Sequence, residues 1–266
     1  MTNLRLFPLL ALALALPTLA AGQTLEQRVA SARGSVGFEF DTRSNVCGDG
    51  HSIMVSNDSS PGWTRRSSRS GVHIGRRKGR SGDCETGPAR VLIEREGNAV
   101  ANLRVTVGGM PASAETELGR VSASDAAAYL LSIAPRLTGE SADDAIMGAQ
   151  IANGARVWDR LLEIARDNGA TESARKSALF WVSHEASIAA TSGLGAVAAD
   201  DDASIAVRKD ALFYLAQRPN GEGVPALARV AETSTSSRLR KDAIFYLAQS
   251  RDPRALDVFE RLLTKR

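Results

Sequence analysis

Val207-Arg-Lys-Asp-Ala-Leu-Phe-Tyr-Leu-Ala-Gln217 decides how this chain is read, because it returns almost unchanged as Leu239-Arg-Lys-Asp-Ala-Ile-Phe-Tyr-Leu-Ala-Gln249. A looser copy, Ala174-Arg-Lys-Ser-Ala-Leu-Phe-Trp-Val-Ser-His184, precedes both. The arginines Arg175, Arg208 and Arg240 recur at steps of about 33 and about 32 residues, the interval of a stacked helical repeat. With Ala211 at zero and about 100° per residue, Val207 falls at about 320°, Leu215 at about 40°, Leu212 at about 100° and Tyr214 at about 300°. These residues make one broad apolar arc for a core. Phe213, at about 200°, stands nearly opposite, beside Lys209 at about 160°.

Helical patterning extends outward from these copies. Ser122 or Ser124 can cap a helix with Asp125 in its first turn, and Pro135 stops it. Further helices are expected near 143–153, 155–168, 172–184, 188–199, 204–217, 223–232, 237–249 and 253–264. Residues 120–266 resemble the HEAT-repeat family, in its bacterial form related to the phycobilin-lyase-type repeats. The resemblance rests on the hydrophobic-Arg-Lys-Asp-Ala-x-x-x-Leu motif, short turns with Asp252-Pro253 or Pro219-Asn-Gly221, and second helices such as Val224-Pro-Ala-Leu227. It implies about four repeats, near 141–168, 172–200, 204–233 and 236–266, with the helix near 122–134 as a cap. Such solenoids serve many roles, so the likeness speaks to architecture far more than to function. A helix pair cannot bury its apolar face alone, so the repeats must stack.

The Arg-Lys-Asp triplets are expected to lace the solenoid surface, with Arg208 near Asp242 and Lys176 near Asp210, each pair worth about 0–1 kcal/mol. Phe180, Phe213 and Phe245 recur in register and make a candidate protein-binding ridge. The competing reading has these rings filling gaps between neighbouring helices.

The N-terminus reads differently. Arg5, an almost wholly apolar run from Leu6 to Leu16, Pro17, and small residues Ala20, Ala21 and Gly22 form a secretory signal peptide over residues 1–22. The protein is therefore expected to be periplasmic or secreted, with no transmembrane segment after cleavage. In an oxidising compartment its two cysteines, Cys47 and Cys84, are expected to form one disulfide. A metal site using His51 and His73 between them is the alternative, although the spacing matches no compact zinc pattern.

Residues 23–112 read as a small β-rich domain of about four strands. Thr24-Leu-Glu-Gln27 resembles a capping box for a helix over about 25–32. Val36, Phe38 and Phe40 alternate with smaller or polar residues, as a strand does, and 47–50 is turn chemistry before a short strand at 52–56. Two alternating runs around Gly97-Asn98 read as a hairpin, with Ala101, Leu103, Val105 and Val107 on one face. Val72 and Ile74 suggest one more short strand. Between them, Arg65, Arg66, Arg69, Arg76, Arg77, Lys78 and Arg80 form a basic loop. It is either a candidate anion-binding loop or a solvated one.

The whole is expected to be an α+β protein: the β-rich domain, then an all-α HEAT-like superhelical solenoid. The net charge of +3 gives no reason to expect nucleic acid as a partner. No nucleophile elbow, zincin or P-loop motif is present, so no catalytic residue, cofactor or metal is assigned. Asp200-Asp-Asp202 lacks calcium-loop spacing and is expected to start the following helix. The function expected is that of an exported scaffold or adaptor binding another protein. The alternatives are an envelope enzyme with its site near His51, or anion binding through the basic loop.

Overall fold

The computed structural model describes residues 22–55, 71–74, 84–97, 99–110, 112–185 and 188–264. A small β-rich region, with strands between residues 36 and 120, leads into a run of helices from 123 to 264 that forms a HEAT-like α-solenoid. The strands are β1 (Val36–Phe40), β2 (Val46–Gly48), β3 (Ser52–Val55), β4 (Gly71–Ile74), β5 (Ala89–Glu96), β6 (Ala99–Val107) and β7 (Thr116–Arg120). The helices are α1 (Leu25–Ser31), α2 (Ala123–Ile133), α3 (Gly139–Ile151), α4 (Trp158–Arg166), α5 (Glu172–Ser183), α6 (Ile188–Ala199), α7 (Ile205–Ala216), α8 (Val224–Thr233), α9 (Ser237–Ser250) and α10 (Arg254–Thr264).

Thr24 and Gln27 form the expected capping box at the start of α1. The main sheet has the order β6-β5-β1-β7, with β5 antiparallel to β1 and β6, and β7 parallel to β1. A smaller sheet runs β2-β3-β4, with β4 parallel to β3. Two strands depart from the sequence reading. Cys47 lies in a strand where a turn was expected, because Val46–Gly48 pairs with Ile53–Val55. The second, β7, falls between the two predicted regions. Its Glu117 explains its place: the carboxylate takes a two-pronged hydrogen bond from Arg90 of β5, reaching across β1. The guanidinium passes over Gly37, where a Cβ would lie only 2.2 Å from Arg90 Nη2. Any larger residue in the middle of β1 would push the pair apart.

Phe38, Phe40, Val91, Ile93, Leu103 and Val105 are fully buried, and Phe38 meets Tyr129 of α2 edge to face at 6.1 Å. Ala101, expected on the same face, is exposed at the open end of β6. The apolar core continues without a break from the sheet into the helices. Helix α3 joins the two. It covers edge strand β6, donating no backbone ladder of its own but offering Ser141 and Asp144 to the Leu103 and Val105 amides, at 3.0 and 2.9 Å. Gly148 permits this approach, since a Cβ there would sit 3.0 Å from both Val105 and Leu130 side chains. The first repeat lacks Arg-Lys because its first helix packs on a sheet edge, where side chains must satisfy strand amides. The segment after β1 adds a second tie: Asn153 N donates to Asp41 O and Arg43 N to Ile151 O, both at 2.9 Å.

Beyond α3 the stacking is regular. Helices α3, α5, α7 and α9 form one row of neighbours, and α4, α6, α8 and α10 the other. Thr171, Ser204 and Ser236 cap α5, α7 and α9, each side chain accepting the backbone N–H three residues on. Among the described residues no helix is long and apolar enough to cross a membrane. The signal segment lies outside the described residues.

Candidate protein-binding face

The repeated motif divides its residues between three jobs. Val207, Ala211, Leu212 and Leu215 are fully buried and Tyr214 is half-buried, as the wheel required.

The arginines do not lace the surface. Arg208 is only 3% exposed. Its Nε donates to Ala198 O at the end of α6 at 3.1 Å, and its Nη1 pairs with Asp201 at 2.8 Å. Arg175 is also buried and donates to Asn168 Oδ1 after α4 at 3.0 Å. Arg240 donates to Ser234 O after α8 at 2.7 Å. Each motif arginine thus serves the exit of the preceding second helix, where carbonyls lack intrahelical partners and the dipole favours a cation. The expected Arg208–Asp242 approach is replaced by Lys209–Asp242, between α7 and α9, at 3.6 Å. The signal was present on the wheel: Arg208 falls at about 60°, inside the apolar arc. Asp201 does not start a helix either; Ser204 caps α7 and the acid is spent on Arg208.

The aromatic residues form a ladder. Phe180 meets Tyr214 at 6.4 Å, Tyr214 meets Phe213 at 5.4 Å, Phe213 meets Tyr246 at 6.5 Å, and Tyr246 meets Phe245 at 5.6 Å. All four contacts are edge to face, the arrangement the ring quadrupoles favour. Each tyrosine leans back onto the phenylalanine of the repeat before it. Exposure rises along the row, from half-buried Phe180 to 45% at Phe213 and 57% at Phe245. Trp181 and His184 extend the row behind Phe180, at 5.2 and 4.6 Å. Burial holds the His184 imidazole below its usual value, against the pull of its Nδ1–H···O bond to Phe180. The ring at that end of the row is thus pushed toward its neutral form. The flank is ionic, with Lys176 paired to Glu172 and Lys209 to Asp242.

The other candidate residues fall elsewhere. Cys47 and Cys84 are joined in a disulfide, and the adjoining Gly48 and Glu85 exchange backbone hydrogen bonds. The basic loop, Arg65, Arg66, Arg69, Arg76, Arg77, Lys78 and Arg80, lies outside the described residues. His51 is exposed on a turn held by Asp49, whose carboxylate accepts the His51 and Ser52 amides at 2.9 and 2.6 Å. Those amides hold Asp49 below the usual carboxylate range despite some desolvation. They give Asp49 a turn-forming role. Among the described residues no three His, Cys, Asp or Glu side chains gather as a metal site.

Architecture and face together define a repeat protein of the α-solenoid class with an aromatic stripe along its first-helix row. Residues 192–266 match the family model described as HEAT repeats. No curated protein and no solved structure matches the chain. HEAT repeats generally mediate contacts between proteins, and that fits a scaffold.

Proposed function

We propose that this protein is an exported scaffold or adaptor that binds another protein through the first-helix face of its solenoid, without catalysis. The observation that carries the reading is the aromatic ladder, with Phe213 and Phe245 half exposed in register on neighbouring helices. Exposed aromatic side chains on a rigid face are the usual anchors of protein interfaces. Their rings are already ordered by the tyrosines, so little entropy is lost when a partner covers them. The Cys47–Cys84 disulfide and the apolar N-terminal segment support a periplasmic or secreted location. The phycobilin-lyase-type likeness rests on the repeat motif alone and adds no chromophore chemistry.

The test is a pull-down from envelope extract with the wild type and the Phe213→Ala/Phe245→Ala double variant. A partner held by the wild type and lost by the variant is the expected result. If every partner stays bound to a folded variant, the ladder is not the contact. Fractionation of cells, with the N-terminus of the isolated protein read by mass spectrometry, tests export.

A further inference from the structure

Asn168-Gly169 lies in the loop between α4 and α5. It is one of three Asn-Gly pairs in the chain, with Asn153-Gly154 and Asn220-Gly221. In such a pair the glycine has no Cβ to screen its backbone nitrogen from the side-chain Cγ that precedes it. The neighbours of Asn168 set it apart from the other two. Arg175 Nη1 donates to Asn168 Oδ1 at 3.0 Å. The acceptor must be the amide oxygen, since a guanidinium only donates. On the other side, Gly169 N donates to Asp167 Oδ1 at 2.8 Å. A cation thus holds the amide carbonyl, and a carboxylate holds the adjacent N–H. Among the described residues no side chain donates to the amide oxygen of Asn153 or Asn220.

Arg175 also lacks a countercharge. It is 8% exposed, and its Nε has no acceptor among the described residues. Glu172 on the same helix pairs with Lys176 instead. One repeat on, the equivalent cation Arg208 has Asp201 at 2.8 Å. Asn168 stands at the position of that Asp201, about 33 residues earlier. A carboxylate at 168 would complete the joint between α4 and α5 as Asp201 completes the joint between α6 and α7.

We propose that Asn168 is a self-modification site, which the folded chain converts to aspartate with the help of Asp167 and Arg175. Gly169 N attacks Asn168 Cγ. As the N–Cγ bond forms, the amide proton passes to the Asp167 carboxylate, and Arg175 stabilises the charge that develops on Oδ1. The Cγ–Nδ2 bond then breaks, and the leaving nitrogen takes the proton from Asp167 and departs as ammonia. The cyclic imide left behind has two carbonyls. Water adds at Cγ, the carbonyl that Arg175 polarises, the N–Cγ bond breaks and Gly169 N regains a proton. The product is aspartate at position 168, with the original peptide bond restored and its carboxylate beside Arg175. Addition at the other carbonyl would give iso-aspartate. Residues 167–169 are exposed, so water reaches them.

The test is peptide mapping by mass spectrometry on the full chain with its disulfide oxidised, incubated near neutral pH, with fragmentation that separates aspartate from iso-aspartate. Asn168 is expected to convert about tenfold or more faster than Asn153 and Asn220, mainly to aspartate. In urea the three rates should converge, with iso-aspartate the main product. Asp167→Ser keeps an acceptor for the Gly169 N–H but no base, so conversion at Asn168 should slow about tenfold while Asn153 and Asn220 are unchanged. Arg175→Gln, with helicity checked by circular dichroism, should shift the product toward iso-aspartate. An Asn168 that converts no faster in the folded chain than in urea overturns the proposal. So does an Asp167→Ser variant that converts at the wild-type rate.

Discussion

The Val105 amide donates to the Asp144 carboxylate at 2.9 Å, and this bond ties edge strand β6 to helix α3. Burial pushes the Asp144 carboxyl up to about 7; the Val105 amide and Arg104 oppose the rise, and Asp143 and Glu140 add to it. The native state therefore holds this proton more tightly than the unfolded chain. The stability that follows is complete at about pH 4 and is lost as pH rises through about 7, at no more than roughly 1.4 kcal/mol per pH unit. Asp144→Asn keeps an acceptor for Val105 and removes the charge. Urea unfolding between pH 4 and pH 7.5 should show a flatter profile for the variant; an unchanged slope would falsify the assignment.

Arg208 and Lys209 are neighbours with opposite expectations. Arg208→Ala strips a buried cation from the exit of α6 and leaves the Ala198 carbonyl without its donor. Its cost should be about 2–4 kcal/mol. Lys209→Ala breaks a half-buried pair at 3.6 Å, and its cost should stay below about 1 kcal/mol. Equal effects in urea unfolding would return both residues to the surface role that the sequence suggested.

Removing the disulfide releases a loop of 37 residues. Cys47→Ser with Cys84→Ser should cost up to roughly 4 kcal/mol in the chain-entropy account. That loop spans the small β2-β3-β4 sheet, a ladder separate from the main sheet that meets it at β6, where Gly50 N donates to Val107 O at 2.9 Å. Hydrogen exchange should therefore quicken at Val46–Val55 well before it does in β1 or β5, and uniform quickening would contradict this.

The ladder and the core should separate cleanly. Leu212→Ala opens a fully buried site and should cost about 2–5 kcal/mol. Phe245→Ala removes a ring that is more than half exposed and lacks a following tyrosine, so its cost should be below about 1 kcal/mol. Thermal melts of the two variants measure the difference directly. A large loss for Phe245→Ala would mean that the ring is structural.

Much of the solenoid could be read in the chain because each repeat contacts only its neighbours. Local periodicity and a motif such as Val207–Gln217 then carry most of the information. The placement of Phe213 opposite the core was legible for the same reason. The arginines were misread because charge suggested a surface position, while the neighbouring helix end that neutralises Arg208 is distant in the linear pattern. The strand β7 was invisible because Thr116-Glu-Leu-Gly-Arg120 has little alternation, and a salt bridge with Arg90 across β1 selects it.

By itself, the sequence determined the repeat, its period, the buried arc of each helix and the switch from strands to helices near residue 120. Those properties follow from local spacing, and local spacing survives without a fold. Only the tertiary structure decided that α3 closes the edge of the sheet, that the motif arginines cap preceding helices, and that phenylalanine and tyrosine interlock into one ladder. Each of these depends on which surfaces meet in space, where burial turns a charge or a ring from a solvated group into a specific partner.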